Sequence, residues 1–189
     1  METEDSGEEK SLENQDLTSV NVSKKVASAG IFIVVGLILS YLNPFAYFTL
    51  FGTKINPFAH IINAITGVLL GLSFSLITAF GIAILRFSLG IGSIHAFHGG
   101  MAGALVVGSI ARLIWKRKPE FVKNAAFAEP IGTIFIGGTI AQLIAPIGGI
   151  EGFFVYWGLF AASCIPGAII GFIVLKILEH SNISRKDYN

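Results

Sequence analysis

The sequence predicts an all-α integral membrane protein, a bundle of six transmembrane helices, and three observations carry the prediction. Of the 189 residues 53% are hydrophobic and 13% charged, where a soluble domain would carry about a quarter charged. Several apolar runs are long enough to cross a hydrocarbon core of about 30 Å. Ten of the 13 basic residues fall into three clusters: Lys24–Lys25, then Arg112, Lys116, Arg117, Lys118 and Lys123, then Lys176 with Arg185 and Lys186. Loops on the cytoplasmic side collect Lys and Arg, which places all three clusters inside.

Residues 1–23 hold seven of the 12 acidic residues (Glu2, Glu4, Asp5, Glu8, Glu9, Glu13, Asp16) ahead of any apolar run. Their low hydrophobicity predicts a disordered cytoplasmic tail. The membrane domain covers 24–180, and 181–189 form a cytoplasmic C-terminal tail. Val26–Leu42 is the first span; no small-residue cleavage site follows it, so it reads as retained rather than as a signal peptide. Asn43–Asn56, with Pro44, Gly52, Lys54 and the aromatics Phe45, Tyr47, Phe48 and Phe51, suits an interfacial loop.

Pro57–Leu85 decides the topology. As one helix it would be about 44 Å long, too long for one untilted span, and it would put the largest basic cluster outside. Two helices that break near Gly71–Ser73 keep that cluster inside. The remaining spans are Met101–Trp115, Ile131–Ile147 and Phe153–Leu178. Both termini are then cytoplasmic, and the outer side carries the Asn43–Asn56 loop, the Arg86–Gly100 region and the Gly148–Gly152 turn. Small residues at four-residue spacing (Gly137, Ala141 and Ala145; Gly167 and Gly171) suit close helix packing in lipid.

The chemistry-bearing residues are few. No glycine-rich loop ends in Gly-Lys-Ser/Thr, so the chain does not hydrolyse nucleotide by the P-loop route. There is no H-E-x-x-H or cysteine pair for zinc, no G-x-S-x-G serine, and Cys164 is the single cysteine. No catalytic residue, cofactor, metal site or nucleic-acid partner is expected.

What remains is a sparse polar set at the outer half. The stretch Arg86–Met101, RFSLGIGSIHAFHGGM, gathers Arg86, His95, His98 and four glycines between apolar segments. Irregular polar backbone at membrane depth must be buried in protein or line a watery cavity. It reads as a small-molecule site or as an exposed connector. His60 and Asn63 lie one helical turn apart and need partners in a membrane helix. With Gln142, Tyr156 and Trp157 they suggest a pocket of aromatic walls and few polar groups, fit for a small heterocycle. Interfacial anchoring is the competing reading for Tyr156 and Trp157, and snorkelling for Arg86. Glu129–Pro130 reads as a helix N-terminal cap at the cytoplasmic face. That depth sets Glu129 apart from the histidines and opposes an intramembrane enzyme built on His60, His95 and Glu129.

Three ordered segments, NPFAHIINAITGVLLG (Asn56–Gly71), LRFSLGIGSIHAFHGGMAGALVVG (Leu85–Gly108) and EPIGT (Glu129–Thr133), resemble the ThiW family. These are substrate-binding S-components of energy-coupling factor (ECF) vitamin transporters. The family pattern has proline in the position of Leu72 and Ala-Phe-Pro-Gly where this chain has Ala96-Phe97-His98-Gly99. The resemblance implies a six-helix protein in the cell membrane that captures hydroxyethylthiazole, a thiamin precursor, from outside. It further implies a shared membrane coupling subunit and two ATPases as partners, with docking on the first helix near Ala27, Ala29 and Gly30. Other readings keep the fold and change the ligand to hydroxymethylpyrimidine, thiamin or another vitamin. From other classes, an intramembrane enzyme or a structural membrane protein remain.

Overall fold

A computed structural model describes the backbone of residues 5–47, 49–51 and 53–188, and side chains from residue 19 onward except 46–50 and 52. The side chains of the acidic leader and of Tyr47 lie outside the described residues, as do Phe48 and Gly52 altogether. The protein is an all-α membrane protein. Among the described residues four segments are long and apolar enough to span a membrane: Ser19–Tyr41, His95–Arg117, Pro119–Ile144 and Glu151–His180. Two shorter apolar helices, Pro57–Leu69 and Leu72–Ser88, complete the six.

Helix α1 (Asp5–Tyr41) already starts within the acidic segment expected to be irregular. Glu8, Glu9, Lys10, Leu12 and Glu13 are good helix formers, and extending an existing apolar helix avoids the cost of a new nucleus. A 3-10 turn (Pro44–Tyr47) and a hairpin follow, in which β1 (Thr49–Leu50) pairs antiparallel with β2 (Thr53–Lys54).

Helix α2 (Pro57–Leu69) is the axis of the bundle, with every residue but Phe58 buried. At about 20 Å it is shorter than a hydrocarbon core. Protein rather than lipid surrounds it, so the shortfall exposes no backbone. A mainly apolar helix whose polar side chains His60, Asn63 and Thr66 all find partners can be buried in such a place. Its Ile61, Ala64, Ile65 and Val68 form the core with Val107 and Ala111 of α4 (His95–Arg117) and Leu175 of α6 (Glu151–His180). A Cβ at Gly167 of α6 would touch the Cβ of His60, and one at Gly171 the Cβ of Ala64. The small residues of α6 at these positions therefore serve packing within the chain.

The break between α2 and α3 (Leu72–Ser88) falls where the charge bias requires it. Gly71 has φ +87°, a left-handed conformation that costs glycine little. The carbonyls freed at the end of α2 are met by the chain's own C-terminus. Arg185, in a 3-10 turn (Arg185–Tyr188), donates Nη1 to Val68 O at 2.9 Å and to Gly67 O at 3.4 Å.

The fifth segment departs most from expectation. It is a 3-10 helix (Pro119–Ala128), a π-helix (Ile131–Gly137) and α5 (Gly138–Ile144) in series. The 3-10 stretch rises about 20 Å over its ten residues, and its Ala125 and Ala126 are fully buried in the core. Pro130 has no N–H and its ring crowds the carbonyl four residues back, which favours the wider π turn after it.

Candidate functional site

Glu129 closes the 3-10 stretch and is fully buried at the centre of a polar cluster. Its Oε1 accepts from His60 Nδ1 at 2.6 Å, from the Thr133 hydroxyl at 2.8 Å and from Asn63 Nδ2 at 3.3 Å. Asn63 also donates to Gly100 O at 2.8 Å, which ties α2 to α4. Room for the carboxylate comes from Gly103: a Cβ there would collide with Glu129 Oε1 and Thr133 Oγ1. The cap reading of Glu129 is thus overturned. Its depth was counted from the apolar run at Ile131, whereas the chain has already climbed through Pro119–Ala128. The depth argument that separated Glu129 from His60 falls with it.

Since Nδ1 of His60 faces a carboxylate, it carries the proton and donates, leaving Nε2 as the free ring nitrogen. His60 lines a cavity between the N-terminal ends of α2 and α4, the C-terminal end of α3, α6 and the β2 strand. The cavity measures about 450 Å³ counted out to its open mouth, of which about 40 Å³ admits the centre of a water molecule. Arg86, His95, Asn56 and Phe160 share its wall, with Thr53 and Lys54 at the hairpin. The wall carries the cations Lys54 and Arg86 and no Asp or Glu. Lys54 Nζ bonds Gly90 O at 3.3 Å across the rim.

Arg86, in the last turn of α3, is 6% exposed, so it does not snorkel to the membrane surface. The backbone of Ile91 and Gly92 folds over it, both N–H groups donating to Arg86 O. His95, the first residue of α4, lies on the wall, while His98 stands behind it. His98 Nδ1 donates to Gly137 O at 2.9 Å, and His95 Nδ1 lies 3.0 Å from His98 Nε2. With both rings neutral, the carbonyl fixes the order: His98 donates through Nδ1, His95 donates to His98, and His95 Nε2 is left as an acceptor.

Of the sequence-derived candidates, the fold brings His60, Asn63, Arg86 and His95 together, with His98 in support. Tyr156 is buried against the His95 ring at 5.3 Å, but its hydroxyl is taken by Ala145 O at 2.7 Å. Gln142 is spent on the turn after α5, accepting from Ile147 N and donating to Gly149 O. Trp157 points away, donating to Thr139 Oγ1 and packing on Phe135 and Phe154. Neighbours on a helix are rotated by about 100°, so Tyr156 and Trp157 never shared one target. On α1, Ala27 and Gly30 are exposed, but Ala29 packs into the core, away from the face that the other two present.

Sequence reasoning misread Glu129 as a cap, and with it missed Thr133, and it passed over Asn56 and Phe160. A signal existed for the first pair: a carboxylate and a hydroxyl four residues apart share a helical face.

A family model described as "Thiamine-precursor transporter protein (ThiW)" matches residues 26–181, well over half of the chain. No curated protein and no solved structure matches.

Proposed function

Because this chain belongs to the ThiW family of thiamine-precursor transporters, we propose that it is the substrate-binding subunit of an ECF-type importer for hydroxyethylthiazole. The hairpin end of the bundle faces outward, both termini are cytoplasmic, and six helices cross the membrane. The observation that carries this reading is the cavity at that end, walled by Phe160 and His95 and backed by the His60–Glu129 pair. A recess that sets the Phe160 ring among fixed polar side chains suits a small neutral heterocycle that carries polar groups of its own. Thiamin itself is a permanent cation, and a wall with Lys54 and Arg86 but no acid disfavours it.

Binding a heterocycle needs more room than the cavity holds, so part of its wall moves. The sequence has no P-loop of its own, so energy comes from partner ATPases through a coupling subunit. Ala27 and Gly30 on the exposed face of α1 are the docking residues. Uptake of labelled hydroxyethylthiazole by cells expressing this chain is the test. Accumulation that requires a co-expressed coupling subunit and its ATPases supports the proposal. Accumulation by the chain alone contradicts the ECF mechanism.

A further inference from the structure

Three buried polar atoms on the cavity-lining residues have no hydrogen-bond partner: Arg86 Nε, Asn56 Oδ1 and Thr53 Oγ1. Unpaired buried polar groups are rare because each has given up its hydrogen bonds to water and gained none in return. The three residues line one cavity, so a wall that moves to admit a ligand can bring the ligand's polar group to these atoms.

Their chemistry specifies that group. Arg86 Nε only donates. The Asn56 amide is oriented by its neighbours: Ser40 Oγ donates to Gly36 O at 2.7 Å, which commits its single proton. It can therefore only accept from Asn56, whose Nδ2 lies at 2.9 Å. That leaves Oδ1, an acceptor, as the unmatched end. The Asn56 backbone is pinned as well, its N–H donating to Ser163 Oγ at 3.1 Å. The cavity thus presents one fixed donor and one fixed acceptor.

We infer that Arg86 and Asn56 form a clamp for an alcohol group of the ligand, with Arg86 Nε donating to its oxygen and Asn56 Oδ1 accepting its proton. The inference rests on the transport reading above and adds to it the residues that hold the ligand's hydroxyl. A hydroxyl is the simple group that accepts and donates at one atom. A phosphate ester or carboxylate would satisfy Arg86 yet set its lone pairs against Asn56 Oδ1. A ligand without the hydroxyl would leave both atoms unpaired, the situation in which binding sites discriminate most strongly. Thr53, whose hydroxyl serves either way, completes the surroundings.

The test is calorimetric titration of the purified full chain with hydroxyethylthiazole, its deoxy analogue 5-ethyl-4-methylthiazole, and its phosphate ester. The wild-type protein should bind the alcohol at least about tenfold more tightly than either analogue. In Arg86→Ala and Asn56→Ala the alcohol-to-deoxy ratio should fall toward one. Equal binding of alcohol and deoxy compound, or tighter binding of the phosphate ester, overturns the clamp and leaves thiazole transport standing. A ratio preserved in both variants overturns it too. Absence of binding by any thiazole removes the transport reading and the clamp together. Should a variant fail to fold, the wild-type series alone still decides.

Discussion

Glu129 takes three hydrogen bonds on one carboxylate oxygen, while its other oxygen is buried without a partner. Removing the side chain strands His60, Asn63 and Thr133 at once. Loss of one member of a buried pair costs about 3–5 kcal/mol, so Glu129→Ala should lower the thermal unfolding temperature in detergent markedly. Trp157→Phe, by contrast, should leave ligand affinity unchanged within about twofold, because Trp157 bonds Thr139 away from the cavity; calorimetry reads this directly. At this scale the sequence was half legible. His60 and Asn63 on one turn announced a need for partners, and Arg86 and His95 announced a polar recess. Their partner was hidden, because whether a carboxylate caps a helix or sits inside a bundle depends on how far the preceding chain has climbed.

The elements explain that climb. The break at Gly71 and the two-helix reading of Pro57–Leu85 were legible, since helix length and charge bias both demanded them. The 3-10 and π segments were not, because their composition differs little from that of an ordinary helix and connector. Both place side chains where an α-helix would not, and together they bring Glu129 opposite Gly103 of α4. Gly103→Ala would put a Cβ onto Glu129 and Thr133. Such overpacking should cost about 1–3 kcal/mol and weaken ligand binding along with stability. Gly158→Ala, also within a helix but with nothing within 4 Å of the new Cβ, should instead stabilise by about 0.5–1 kcal/mol. Thermal unfolding of the two variants side by side separates close packing from helix propensity.

For the whole molecule, the proposed orientation rests on charge, and chemistry can check it. Cys164 is fully buried, so the wild-type protein should not react with a membrane-impermeant maleimide. Cysteines placed at the exposed positions Ser23→Cys and Ser181→Cys should react only after the membrane is permeabilised, and Ser88→Cys in intact cells. The transport claim itself is tested most directly by parallel calorimetric titrations of hydroxyethylthiazole, hydroxymethylpyrimidine and thiamin into the purified protein and its His60→Gln variant. Saturable binding of the thiazole, at least about tenfold tighter than the other two and weakened in the variant, is the expected result. Tighter binding of the pyrimidine or of thiamin, or thiazole binding indifferent to His60, would contradict it.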